Sequence, residues 1–227
     1  RRHDPGGAHA DPGAPASAFA SRGVTFDRAA VARSFSVSRE TMGRLDCLVA
    51  QIVKWQRAIN LVSRTTLPEI WHRHVADSAQ LFDLAPQPAT RWADFGAGGG
   101  FPGLVIAAMA HDARPDLRMT LVESDVRKAT FLRDTARAMG VRVALHQGRA
   151  ETVPPDRQFD VISARALAPV AKLLALTRPH LAAGGILLFP KGKNAETELA
   201  SLPAIDRNAV ARIASRTHPD AAILKWA

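Results

Sequence analysis

Between Trp92 and Ala110 the chain reads "WADFGAGGGFPGLVIAAMA": an apolar strand, a turn crowded with Gly96, Gly98, Gly99 and Gly100, and then a helix. Glycine is costly to order, so such a cluster implies a backbone that takes positive φ or lies close against something. The alternation continues downstream. Short apolar runs near Arg91–Phe95, Met119–Val122, Val141–His146, Val161–Ala164 and Ile186–Phe189 read as strands. Helical patterns near Gly103–Ala110, Arg127–Met139 and Pro169–Arg178 lie between them. Gly140 reads as a helix stop, and "AAGG" at 182–185 as a turn into the fifth strand. Such alternation implies an α/β fold with a mostly parallel, doubly wound sheet. "AVARIASRT" and "AAILKWA" then read as two closing strands joined by a turn at His218-Pro219-Asp220.

Upstream the pattern is helical. From Ser38, the residues Met42, Leu45, Leu48, Val49, Ile52, Val53, Trp55 and Ile59 recur at helical spacing and define an amphipathic helix. "NLVSRTT" breaks it. Thr66 with Glu69 has the spacing of a capping box, expected to open a helix through "LPEIWHRHVADSAQLF". Residues 1–23, rich in Gly, Pro and Ala, are expected to form a disordered tail. The expected organisation is therefore this tail, a helical extension over 24–88, and an α/β domain over 89–227.

Composition narrows the function classes. Of the 227 residues 47% are hydrophobic and 22% charged, as in ordinary globular chains, and no apolar run is long enough to cross a bilayer. The N-terminus has no continuous apolar segment, so a secretory signal is not expected. With Cys47 alone, neither an internal disulfide nor a Cys-x-x-Cys metal knuckle can form. A cytoplasmic protein without metal or membrane follows as the expectation, with monomer as the default state. A net charge of +9 invites a polyanion, but the arginines are scattered, so charge alone does not decide for nucleic acid.

In open α/β sheets ligands bind beyond the carboxyl ends of the strands, beside the first one, where the glycine turn falls. Phe101 stands where a dinucleotide fingerprint needs its third glycine. The alternative is the Asp-x-Gly-x-Gly-x-Gly turn used for S-adenosyl-L-methionine, here Asp94 to Gly100. Gly96 and Gly98 would then face the cofactor. Glu123, ending the second strand in "TLVESD", is placed to bond ribose hydroxyls, but both cofactor classes use such an acid. A tight turn with no ligand would not need four glycines.

"NLVSRTT", "RHVADSAQL", "DFGAGGGFPGLVIA", "LVESDVRKATFLRD", "GRAE", "FDVISARALAP" and "FPKGKNAETEL" together resemble the bacterial 16S rRNA guanine-N7 methyltransferase family (GidB). The resemblance runs from about Val24 to Leu202. It implies a Rossmann-like S-adenosylmethionine-dependent methyltransferase fold with a helical N-terminal extension, and 16S rRNA or the small ribosomal subunit as partner. It also implies site residues. Gly96 and Phe101 match the turn lining the cofactor pocket, Ala150 and Glu151 the pair beside the adenine, and Arg165 the arginine ending the fourth strand. Asn60, Arg73, His74, Asp77 and Ser78 match the motif facing the active-site mouth, and Lys191 the lysine after the fifth strand. The long low-complexity start and the short loop between the last two strands depart from the family pattern.

These positions have plainer readings too. Phe101 could be a core aromatic, Arg165 could pair with Asp160 or Glu151, His74 could be a structural histidine, and Lys191 and Lys193 could be merely solvated. Chemistry supplies a separate argument. Amine methylation commonly uses an Asn/Asp-Pro-Pro-aromatic motif where this chain has "SARALAP", and methylation of pyrimidine carbon 5 needs a cysteine, whereas Cys47 lies outside the α/β core. Guanine N7 carries a lone pair and no proton, so it needs no general base. Alignment alone can then supply roughly 7–11 kcal/mol. On this reading no side chain is an obligatory acid or base, and Arg165, Lys191, Arg73 and His74 position substrate. A methyltransferase for another substrate, a nicotinamide-dependent oxidoreductase, and a non-enzymatic RNA-binding module are the competing classes.

Overall fold

The structure is a computed structural model that describes residues 25–227, and the tail expected at 1–23 lies outside them. Asp27 caps α1 (Arg28–Ser34) by accepting from the Ala30 N–H, a helix that periodicity alone did not reveal. Ser38 caps α2 (Arg39–Trp55) in the same way through the Thr41 N–H. The buried stripe Met42, Leu45, Leu48 and Ile52 anchors α2 on the α/β core. Each such side chain contributes on the order of 1.5–3 kcal/mol of transfer free energy.

The next helix differs from expectation. Trp71–Ala76 is wound as a π-helix and runs into α3 (Asp77–Ala79). The capping box does not form. No side chain caps the helix start. Thr66 Oγ1 instead donates to the Ser63 carbonyl at 3.1 Å and lies 2.8 Å from His74 Nε2. A hydroxyl drawn to a tertiary partner is lost to the local cap.

The sheet contains β1 (Arg91–Phe95), β2 (Arg118–Glu123), β3 (Val143–Gln147), β4 (Phe159–Ala164), β5 (Leu181–Lys191), β6 (Val210–Ala214) and β7 (Ala222–Trp226). Their spatial order is β3-β2-β1-β4-β5-β7-β6. β7 pairs antiparallel with both β5 and β6, so it alone runs against the other strands. Connections run through α4 (Gly103–Ala113), α5 (Val126–Met139) and α6 (Val170–Thr177), with α7 (Ala195–Ala200) and α8 (Ala204–Asn208) before β6. Gly140 ends α5 in the left-handed conformation, as expected. The turn expected at 182–185 is absorbed into β5 as an irregularity. Phe159 pairs with Leu181 but Val161 with Ile186, and Gly184, at φ +72°, takes up the extra length.

Strand alternation divides the core between the two faces. Trp92 joins Leu45, Leu48, Leu104, Leu121 and Phe131 on one face, while Phe95 joins Ile162, Leu173, Phe189 and Trp226 on the other. The N-terminal helices therefore pack directly on the sheet's helical layer. The order reverses between β1 and β4, and a crevice opens at their carboxyl ends.

Candidate active site

The glycine turn follows β1 at this crevice. Gly98 has a φ of +52°, a conformation that disfavours side chains. A Cβ there would meet nothing nearer than Gly96 O of the same turn, at 3.7 Å, so the turn's outer side is an open cradle. Gly99 is constrained differently. A Cβ would stand 2.9 Å from the Leu61 carbonyl oxygen, because the loop after α2 lies directly on the turn. One glycine thus shapes the cradle, and its neighbour admits the N-terminal extension.

Two acids hold the turn. Glu123, nearly buried at the end of β2, accepts from the Gly98 N–H through Oε2 and from the Asp125 N–H through Oε1, both at 2.8 Å. Asp94 lies beneath the turn and fully buried. Its Oδ2 accepts from the Gly103 N–H and its Oδ1 from the Ser163 hydroxyl, each at 2.9 Å, tying β1 to α4 and β4. Burial pushes its carboxyl up to about 7 against the opposing effect of those bonds. Of the two expected cofactor-facing acids, Glu123 is at the rim of the cradle and Asp94 supports it from inside.

Arg165, at the carboxyl end of β4, gathers the N-terminal motif. Its Nη2 lies 2.9 Å from His74 Nδ1, and its Nη1 donates to the Arg73 carbonyl at 3.3 Å and to Asp77 Oδ2 at 3.4 Å. A guanidinium only donates, so His74 Nδ1 is the acceptor and Nε2 carries the proton toward Thr66. Burial first, and then Arg165 and Arg73, lower the imidazole to about 3. His74 is therefore neutral at physiological pH. Phe101 lies beneath this group, its ring 5.0 Å from that of His74 and 5.4 Å from the Arg165 guanidinium carbon. The alternative partner Asp160 is engaged elsewhere, with Arg91 at 2.8 Å.

A cleft of about 710 Å³ opens beside this cluster, and Arg73, His74, Arg165, Lys191, Lys193 and His218 are among its walls. Lys191 Nζ donates to the Ala168 carbonyl and to Glu198 Oε2, both at 2.9 Å, and is thus fixed rather than merely solvated. Between cleft and glycine turn runs the loop 165–169. Ala166 takes a left-handed φ of +54°, and Leu167 lines the cleft while packing onto Gly96. Ala150 and Glu151 form a short turn after β3 with Ala150 half-buried and Glu151 exposed, and the Gly148 N–H donates to the Glu123 carbonyl at 3.0 Å.

Two expected motif residues lie away from the cleft: Ser78 bonds back to the His74 carbonyl at 2.6 Å, and exposed Asn60 borders a separate shallow groove. Thr66, Leu167, Glu198 and Thr217 were not read from the sequence as part of the site. Only Glu198, seven residues after Lys191 and charge-complementary, left a local signal.

The fold and cradle define a Rossmann-like methyltransferase. Two solved structures share the fold: a Klebsiella pneumoniae protein described as an O-methyltransferase (TM-score 0.54, 18% identity, 81% of this chain and 89% of that one), and a Staphylococcus aureus protein described as a caffeoyl-CoA O-methyltransferase (TM-score 0.51, 13% identity, 78% and 91%). More specifically, residues 42–213 match the profile of GidB, rRNA small subunit methyltransferase G, and the chain belongs to that family. Ribosomal RNA small subunit methyltransferase G of Cereibacter sphaeroides is 49% identical over 203 residues, covering 89% of this chain and 97% of the relative. The enzyme of the same name from a Jannaschia species is 50% identical over 190 residues, covering 84% and 90%.

Proposed function

We propose that this protein transfers a methyl group from S-adenosyl-L-methionine to N7 of a specific guanine in 16S rRNA, acting as a cytoplasmic monomer on the RNA or the small subunit. Residues 24–88 and 89–227 work as one folded unit in this reading. The observation that carries it is the state of three titratable groups that line the cleft beside Arg165. His74 is held neutral with both ring nitrogens engaged, Asp77 is bonded to Arg165, and Lys191 to Glu198. Groups so engaged align a substrate and do not abstract protons, and N7 is the guanine nucleophile that needs no deprotonation. The relatives' small-subunit rRNA name supports the substrate.

The residues present fit this cofactor. The Gly98 cradle accommodates close approach, Glu123 offers a carboxylate to a ribose diol, and Arg165 offers a guanidinium to an amino-acid carboxylate. Gly96, Phe101, Ala150 and Glu151 complete its pocket, with Asp94 bracing the turn from below. When bound, the cofactor supplies an electrophilic methyl on a sulfonium. Holding reactants in register then accounts for the acceleration. Arg73 and Lys193 form no ion pair among the described residues, and they contact RNA phosphate or the guanine N7/O6 edge.

The test is incubation of small subunits and naked 16S rRNA with the protein and cofactor. Reduction and strand cleavage then map N7-methylguanine. A single modified guanine supports the proposal; methylation at another atom, or none on either substrate despite cofactor binding, refutes it.

A further inference from the structure

The turn between β6 and β7 lies far from the glycine turn in sequence, yet it reaches the same cluster. Thr217 is buried there, and its hydroxyl donates to Asp77 Oδ1 at 2.8 Å. Gln80 Nε2 donates to the same oxygen at 3.0 Å and toward Ser215 Oγ at 3.3 Å. Gln80 Oε1 accepts from the Arg216 N–H at 2.9 Å, and the Arg216 Nη2 donates to the Ser34 carbonyl at 2.9 Å, so the turn is fastened to the N-terminal extension at several points. Directionality fixes the remaining proton. A carboxylate only accepts, so the Thr217 hydrogen points to Asp77, and Ser215, 2.9 Å away, donates to Thr217. The second oxygen of Asp77 is the one that meets Arg165 Nη1.

We infer that Thr217 is a positioning residue for Arg165. Its hydroxyl orients the Asp77 carboxylate, which sets the guanidinium against His74 Nδ1 and over Phe101. Asp77 has its side chain 18% exposed and Arg165 19%, so water competes weakly and the geometry passes along the chain of bonds. The C-terminal hairpin thereby acts on the cofactor site through Asp77. This inference rests on the proposed role of Arg165 in that site.

The experiment compares the full chain with Thr217→Val, which keeps shape and loses the hydroxyl, and with Thr217→Ser, which keeps the hydroxyl. Imidazole nitrogen resonances report whether Arg165 still donates to His74 Nδ1, and calorimetry reports S-adenosylmethionine affinity. We expect Thr217→Val to shift the His74 Nδ1 signal and weaken cofactor binding about 5–10-fold, with Thr217→Ser restoring both to within about twofold. Should the valine variant fail to fold, Thr217→Ala carries the same expectation. An unmoved Nδ1 signal, or a moved signal with unaltered affinity, overturns the inference. Absence of cofactor binding by the unaltered chain would instead refute the methyltransferase reading, while the Nδ1 signal still decides whether Thr217 sets Arg165.

Discussion

Arg165 and His74, 91 residues apart in sequence, share a hydrogen bond of 2.9 Å in which the guanidinium donates to Nδ1. That contact joins the end of β4 to the helical extension and holds the imidazole in a single tautomer. It also places a permanent cation beside a ring that burial already keeps neutral, so the two effects reinforce each other.

Replacing Arg165 by Ala should remove the proposed partner of the cofactor carboxylate and weaken S-adenosylmethionine binding at least tenfold. Losing the adjacent cation should also raise the His74 pKa from about 3. Calorimetry and an NMR titration of the imidazole check the two halves independently. Unchanged affinity would remove Arg165 from the cofactor site.

His74→Ala should slow turnover about 10-fold, because His74 aligns and does not transfer protons, and leave cofactor affinity within about threefold, because Asp77 and the Arg73 carbonyl still hold Arg165. The rate profile between pH 6 and 8 should show no inflection from this group. Complete loss of turnover with RNA binding intact would make His74 catalytic.

Stability should carry two opposed pH dependences. His74 titrates at about 3 in the folded chain and near 6.5 when unfolded. Its contribution is full above 6.5 and is lost as pH falls toward 3. Asp94 is shifted upward, from 3.8 to about 7, so the folded state binds the extra proton and stability declines as pH rises across that interval. Each slope is at most about 1.4 kcal/mol per pH unit, and the two oppose each other where they overlap. Urea unfolding of Asp94→Asn should expose the fall in stability as pH drops from about 6.5 toward 4, and His74→Gln should expose the decline as pH rises from about 4 toward 7. Identical profiles for both variants and the parent would contradict the assignment.

Adjacent glycines should fail differently. A side chain at Gly98 projects into the open cradle, so Gly98→Val should abolish cofactor binding in a protein that still folds, with roughly 1–2 kcal/mol lost to left-handed strain. At Gly99 even a methyl meets the Leu61 backbone oxygen. Gly99→Ala should therefore lower stability by about 1–3 kcal/mol and loosen the extension from the turn. Thermal melts paired with calorimetry separate the two outcomes.

The β1–turn–α4 unit, the helix stop at Gly140 and the closing strands were legible in the sequence, because each is set by alternation, periodicity or glycine conformation within a few residues. The glycine turn and Glu123 at the end of the second strand, which meet through the Gly98 N–H, were legible for the same reason. What the tertiary structure decided was partnership. Thr66 and Glu69 had the spacing of a cap, but the Thr66 hydroxyl is engaged by Ser63 and His74. Asp94 belonged to the turn motif in sequence, yet strand parity directs it inward to Ser163 and Gly103. Arg165 had Asp160 and Glu151 as local candidates and pairs instead with Asp77, which Thr217 holds from the C-terminal hairpin. Local conformation follows from short-range sterics and hydrogen bonding, whereas a side chain's partner depends on which strands the sheet brings together, and here that order places β4 beside β1 and the β6–β7 turn against the N-terminal helices.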